Sequence, residues 1–150
     1  MSTSSPAHVD VRGPRFAAWI TTVVLAAVLV LASFSPTTAG IVLAAQTIVF
    51  AFGAALGPRR SPYGALFATV VAPRLTSPSE TEPAAPLRFA QAVGFVFALI
   101  GTVALLTGAV TLGIVAAGFA LFAALLNAAF GVCLGCRIYP LIVRLRPEPT

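Results

Sequence analysis

Three long stretches of the chain carry no charged side chain. The first runs from Phe16 to Phe34 and holds nineteen residues. As a helix rising about 1.5 Å per residue it reaches roughly 28 Å, close to the ~30 Å hydrocarbon core of a bilayer. Ser35-Pro36-Thr37-Thr38 reads as a turn, since Pro36 cannot continue that helix. The second stretch, 39–56, stops abruptly at Gly57-Pro58-Arg59-Arg60. The third, Phe89 to Gly135, holds 47 residues. One crossing cannot use that length, whereas two can, joined across 107–113 where Gly108 and Gly113 loosen the helix. The pattern therefore predicts spans at about 16–34, 39–56, 89–106 and 114–134.

Between the second and third spans, Ser61-Pro62 has the form of a helix start, Ser as N-cap and Pro at the first helical position. Segment 61–72 is apolar but too short to cross, which predicts an interfacial helix. The stretch 73–87 is rich in proline and carries Glu80 and Glu82, so it reads as a solvated loop. Residues 1–11 and 143–150 read as cytoplasmic tails, the first of them disordered, around a membrane domain at 12–142. The expected fold class is an all-α membrane protein: a four-transmembrane-helix bundle with a short cytoplasmic interfacial helix between helices two and three.

Composition supports lipid as the solvent. Of the 150 residues, 59% are hydrophobic and 9% charged, where a soluble domain carries about 25% charged residues. The net charge of +5 comes from nine arginines against four acids, with no lysine. In a soluble protein that balance suggests nucleic acid. Here the arginines flank apolar runs without building a basic face, so no nucleic-acid partner is expected.

Arginine placement also predicts orientation. With four crossings, the N-terminal segment, the 57–88 connection and the C-terminal segment share one side and hold all nine arginines. Basic residues near helix ends stay in the cytoplasm, so a multi-pass plasma-membrane protein with both termini cytoplasmic is expected. A cleaved signal peptide over 16–39 is the rival. Its apolar run exceeds the roughly 7–15 residues of a signal core, and three further crossings follow.

The two cysteines stand together as Cys133-Leu134-Gly135-Cys136. That spacing sets two sulfurs one helical turn apart, close enough to exchange a disulfide or share a soft metal. The pair is expected at the cytoplasmic end of the fourth helix, where thiols are kept reduced. Reactive pairs usually sit at a helix N-terminus. At a C-terminus the dipole opposes the thiolate, although Arg137 could support it from the same face and Gly131 and Gly135 could unwind the last turn. The bland alternative is two small residues packed at a helix end. Zinc or an iron–sulfur cluster wants about four ligands, more than two cysteines and His8 supply, so neither a metal nor a cofactor is expected.

Three amides, Gln46, Gln91 and Asn127, lie in or near the spans. Their ordinary role is interhelical hydrogen bonding. The functional alternative is a polar pocket above the cysteines. Gly94, Gly101 and Gly108 recur every seven residues, as close helix packing requires. No Asp, Glu, Lys, Arg or His falls within the four spans, which argues against proton relays and voltage sensors. No Ser/His/Asp set, paired carboxylates, P-loop or dinucleotide fingerprint is present.

Four stretches together carry a resemblance: Val9 to Phe16, Gly57 to Tyr63, Arg88 to Gln91, and Leu126-Asn127-Ala128-Ala129-Phe130-Gly131-Val132-Cys133-Leu134-Gly135-Cys136. They resemble a family of small bacterial, actinobacterial-type integral membrane proteins, domain of unknown function 4395, over roughly residues 9 to 142. The resemblance implies a thioredoxin-like or sulfurtransferase protein as partner, beside the lipid bilayer. Three functions follow as expectations. The first is a thiol–disulfide or sulfur-handling protein using Cys133 and Cys136, with Arg137 supporting the thiolate. The second is a structural or interaction protein with inert cysteines. The third is a small transporter subunit for a reduced sulfur species, with Gln46, Gln91 and Asn127 lining the path.

Overall fold

The computed structural model describes residues 8–77 and 80–145. Residues 1–7 and 146–150, parts of the two expected tails, lie outside the described residues, and Arg146 with them.

Four helices are long and apolar enough to cross a membrane: α1 (Arg12–Phe34), α2 (Pro36–Leu56), α4 (Ala84–Thr107) and α5 (Val110–Phe130). Between α2 and α4 lie a 3-10 turn (Pro58–Arg60), a short α3 (Pro62–Leu66) and one π and one 3-10 turn reaching Arg74. A sixth helix, α6 (Leu134–Leu145), closes the described chain. Two three-residue strands, β1 (His8–Asp10) and β2 (Thr81–Pro83), pair antiparallel with Val9 opposite Glu82.

Capping residues explain why the helices outrun the apolar stretches. Helix α1 starts at Arg12 because the Asp10 carboxylate accepts the Arg12 backbone N–H at 3.0 Å. Pro36, expected as a breaker, is instead the first residue of α2, where its missing N–H costs nothing. Ser35 caps it, accepting the Thr38 N–H at 3.3 Å. The link between α1 and α2 is that one residue. Likewise α4 and α5 are joined by Gly108 and Ala109 alone, with Gly108 at φ 94 ending α4 in a conformation that suits glycine. Ser61 caps α3 as its Ser-Pro pair predicts, accepting the Gly64 N–H at 3.1 Å.

The four spans form a ring in which α1 touches α2 and α5, and α4 touches α2 and α5. Leu25, Val28 and Leu43 are fully buried within it, among the small residues Ala39, Ala98 and Ala117. Lipid is as apolar as these side chains, so close packing and hydrogen bonds hold the ring together in its place. A Cβ on Gly40 would lie 2.7 Å from the Leu106 side chain, and one on Gly101 would lie 2.7 Å from Leu43. Thr47 and Thr102 hydroxyls meet across α2 and α4 at 3.2 Å. The outer surface carries Val23, Val30, Ile41, Ile48, Val96 and Val103, all exposed. That is a surface made for lipid.

The expected disordered tail and solvated loop need correction where they are described. Residues 8–10 are a strand whose Val9 is buried. Its partner β2 lies in the stretch read as loop, and α4 begins at Ala84. Three-residue strands leave too short an alternation to be seen in sequence. Asp10 holds the junction together: Arg12 donates to both of its carboxylate oxygens, at 2.7 to 3.1 Å, and also to the Thr76 carbonyl at 2.9 Å.

Arg12's hydrogen bonds hold the Asp10 carboxyl pKa below its ordinary value. A lowered acid stabilises the fold above its unfolded pKa and loses that contribution as pH falls through the lowered one. Burial raises the Glu82 carboxyl instead, so ionising it works against the pairing. Asp10→Asn should quicken hydrogen exchange at 8–10 and 81–83 several-fold at neutral pH. The unaltered protein should show that loosening only in acid. Unchanged protection in the variant would remove Asp10 from this role.

Candidate functional site

The residue types around the cysteines build a helix end followed at once by a helix start. Gly131, at φ 68, ends α5: its N–H reaches the Asn127 carbonyl and the Val132 N–H reaches that of Leu126, each at 3.1 Å. That is the double closure a left-handed glycine permits. Cys133 then stands immediately before α6. Its sulfur accepts the Cys136 N–H at 3.2 Å, and its carbonyl accepts the Arg137 N–H at 3.1 Å. Cys133 thus does the work of an N-cap, and Cys136 lies in the first turn of α6. The two are joined as a disulfide with Cα atoms 5.2 Å apart.

This corrects the expected position. The pair is at the N-terminus of a new helix, not at the C-terminal end of the fourth span, because Gly131 closes α5 at Phe130. The positive end of the α6 dipole therefore points at Cys133. The Arg137 side chain is exposed and hydrogen-bonds to no described residue. The Cys136 backbone N–H, not this guanidinium, meets the Cys133 sulfur.

Helix α6 is seated against the start of α4. A Cβ on Gly135 would lie 2.7 Å from the Ala90 Cα, and the Phe89 and Tyr139 rings meet at 5.8 Å. Two arginines brace the same end of the bundle. Arg15 donates to the Ala128 carbonyl in the last turn of α5, and Arg88 donates to the Ala54 and Ala55 carbonyls ending α2. Charge counting along the sequence shows these residues only as topology signals, although arginines near helix ends are natural partners for free carbonyls.

A cavity of about 920 Å³ opens beside Cys133. Cys133, Gln91 and Asn127 all line it, while Cys136, Gln46 and Arg137 do not. Its inner end is apolar: Phe97 of α4 and Phe119 of α5 line it, with ring centroids 5.9 Å apart. Asp10, Arg12 and Arg59 line its outer rim, together with Val9 and Thr81 of the two strands.

The three amides divide accordingly. Gln46 is buried, accepts from the Tyr63 hydroxyl at 2.7 Å, and donates to Thr21 at 3.5 Å. It has the interhelical role. Burial raises the Tyr63 phenol pKa and keeps that donor protonated. Gln91 and Asn127 are half-buried, and no side-chain hydrogen bond joins either to another described residue. Both line the cavity, and the Gln91 amide also lies across Gly53 of α2. Two thiols could hold a soft metal, and among the described residues no cluster of three His, Cys, Asp or Glu side chains joins them.

A family model described as Domain of unknown function (DUF4395) matches residues 9–144. No curated protein and no solved structure matches the chain.

Proposed function

The chain belongs to the DUF4395 family, whose description assigns no activity, and we propose from the site itself that this multi-pass membrane protein carries out thiol–disulfide exchange through Cys133 and Cys136. One observation carries the reading: Cys133 caps α6, accepts the Cys136 N–H, and opens to the cavity, whereas Cys136 does not line it. A thiolate at a helix N-terminus is stabilised by the dipole and by that N–H. Cys133 is then the attacking sulfur. Cys136, with its Cα only 5.2 Å away, resolves the adduct and forms the internal disulfide.

Every described arginine lies in the first turns of α1 and α4, in the α2–α4 connection or in α6, which share one end of the bundle. The positive-inside rule assigns that end to the cytoplasm, with both termini. A thioredoxin-like or sulfurtransferase partner there would exchange with Cys133, and persulfide transfer would use the same two sulfurs. The transporter reading has less support. Gln46 is committed to Thr21 and Tyr63, and the cavity lining ends at Phe97 and Phe119, in the middle of α4 and α5. That describes a pocket better than a path.

Differential alkylation of the two thiols in intact cells, with and without a membrane-permeant reductant, tests the function. The pair should be protected without reductant in a measurable fraction of molecules and labelled after it. Thiols that stay reduced throughout, and label sluggishly even in detergent, would mean inert packing.

A further inference from the structure

Thiol–disulfide exchange needs an electron acceptor or donor, and the chemistry of the cavity beside Cys133 narrows what it is. From Asn127 at the Cys133 end to Phe119 at the inner end is eight residues of α5, or about 12 Å along the helix. The inner wall offers aromatic rings and small residues, among them Phe97, Phe119, Gly94 and Ala123. Phe119 is 59% exposed, so one wall of this end reaches the outer surface of the bundle. The charged groups of the lining, Asp10, Arg12 and Arg59, belong to the rim and leave the inner part without a counter-ion. A charged ligand would be uncompensated there. A neutral one that is apolar along its length and accepts hydrogen bonds at its head would satisfy Gln91 and Asn127.

We infer that the cavity binds a lipophilic quinone, which takes two electrons and two protons from the Cys133–Cys136 dithiol. The inference rests on the thiol function proposed above. A plain acyl chain would fill the apolar end, yet it would leave both amides unpaired and accept no electrons. A quinone reaches the site from the bilayer itself, and its carbonyl oxygens accept the amide N–H groups.

The reaction balances in two steps. The Cys133 thiolate adds to a ring carbon, forming a C–S bond. The Cys136 thiolate then attacks the Cys133 sulfur. The S–S bond forms as the C–S bond breaks, and that bond's electron pair stays on the ring. The two protons from the thiols end on the two quinone oxygens. The dithiol is oxidised to a disulfide and the quinone is reduced to hydroquinone.

The test uses the full-length protein in lipid nanodiscs, reduced and then freed of reductant. A ubiquinone with a decyl tail is one oxidant, and the water-soluble disulfide dithiobis(nitrobenzoate) is the other. Quinone absorbance and thiol content are followed together. Saturable reduction of one quinone for every two thiols lost is the expected result. The ratio of quinone rate to soluble-disulfide rate should fall about tenfold or more in Ala123→Phe, which fills the cavity, and in Asn127→Leu, which removes a donor. If Ala123→Phe fails to insert, Asn127→Leu carries the comparison. A soluble disulfide that oxidises the pair while the quinone does not, or an unchanged ratio in the variants, would overturn the quinone site and leave the thiol function standing. Failure of both oxidants would overturn the thiol function, and the quinone site with it.

Discussion

Cells producing Cys136→Ser should accumulate a reductant-sensitive adduct through Cys133, and cells producing Cys133→Ser should accumulate none. Cys133 is the cysteine that lines the cavity and caps α6. With Cys136 gone, a mixed disulfide on Cys133 has no neighbouring thiolate to release it. With Cys133 gone, the remaining sulfur lies in the first turn of α6 and does not line the cavity. The adduct in Cys136→Ser should exceed that in the unaltered protein by roughly tenfold or more, since intramolecular resolution normally clears it. Non-reducing electrophoresis of membranes quenched in acid reads the result. Equal adducts in the two variants would mean that the cap geometry does not choose the attacking sulfur.

The second large effect needs no change to either cysteine. Gly135→Val should strip the pair of its exchange chemistry while the protein still reaches the membrane. A Cβ at residue 135 would sit 2.7 Å from both Ala90 Cα and Ala90 Cβ. The first of these is backbone and cannot turn aside, so the start of α6 has to lift from α4. Overpacking of this kind costs about 1–3 kcal/mol, and here it falls on the turn that carries both sulfurs. Gly118→Val is the control, since nothing lies within 4 Å of a Cβ there. Alkylation rates and membrane abundance of the two variants should separate cleanly. Full exchange activity in Gly135→Val would show that the Ala90 contact does not seat the pair.

How far these features could be read in advance depended on the length over which each is encoded. Span number and the one-sided arginines are written over tens of residues, and lipid leaves little freedom in interpreting them. Helix ends depend on single side chains: Asp10 carried α1 back to Arg12, and Pro36 opened α2 where a break was expected. The β1–β2 pairing joins segments some seventy residues apart through three residues each, so no local pattern announces it. The position of the cysteines was the costliest miss. Its signal was present in Gly131, two residues before Cys133, which ends one helix so that a sulfur can begin the next. Gln46, Gln91 and Asn127 were indistinguishable in sequence, because only the packing decides which amide finds partners. A pocket above the cysteines was one of the two readings of the amides, but its apolar extension toward Phe97 and Phe119 was not legible. It exists because particular faces of α1, α4 and α5 meet around small residues, and periodicity alone does not fix those rotations.

The links at the far end of the bundle are Ser35 and the pair Gly108-Ala109. Three uncharged residues leave water-soluble molecules on that side almost nothing to grip. An antibody, a protease or a receptor approaching from there would meet little more than headgroups. Among its described residues the protein is monofacial: whatever it senses, receives or hands on in water must pass through the arginine-bearing surface, and the opposite compartment can reach it only through the lipid.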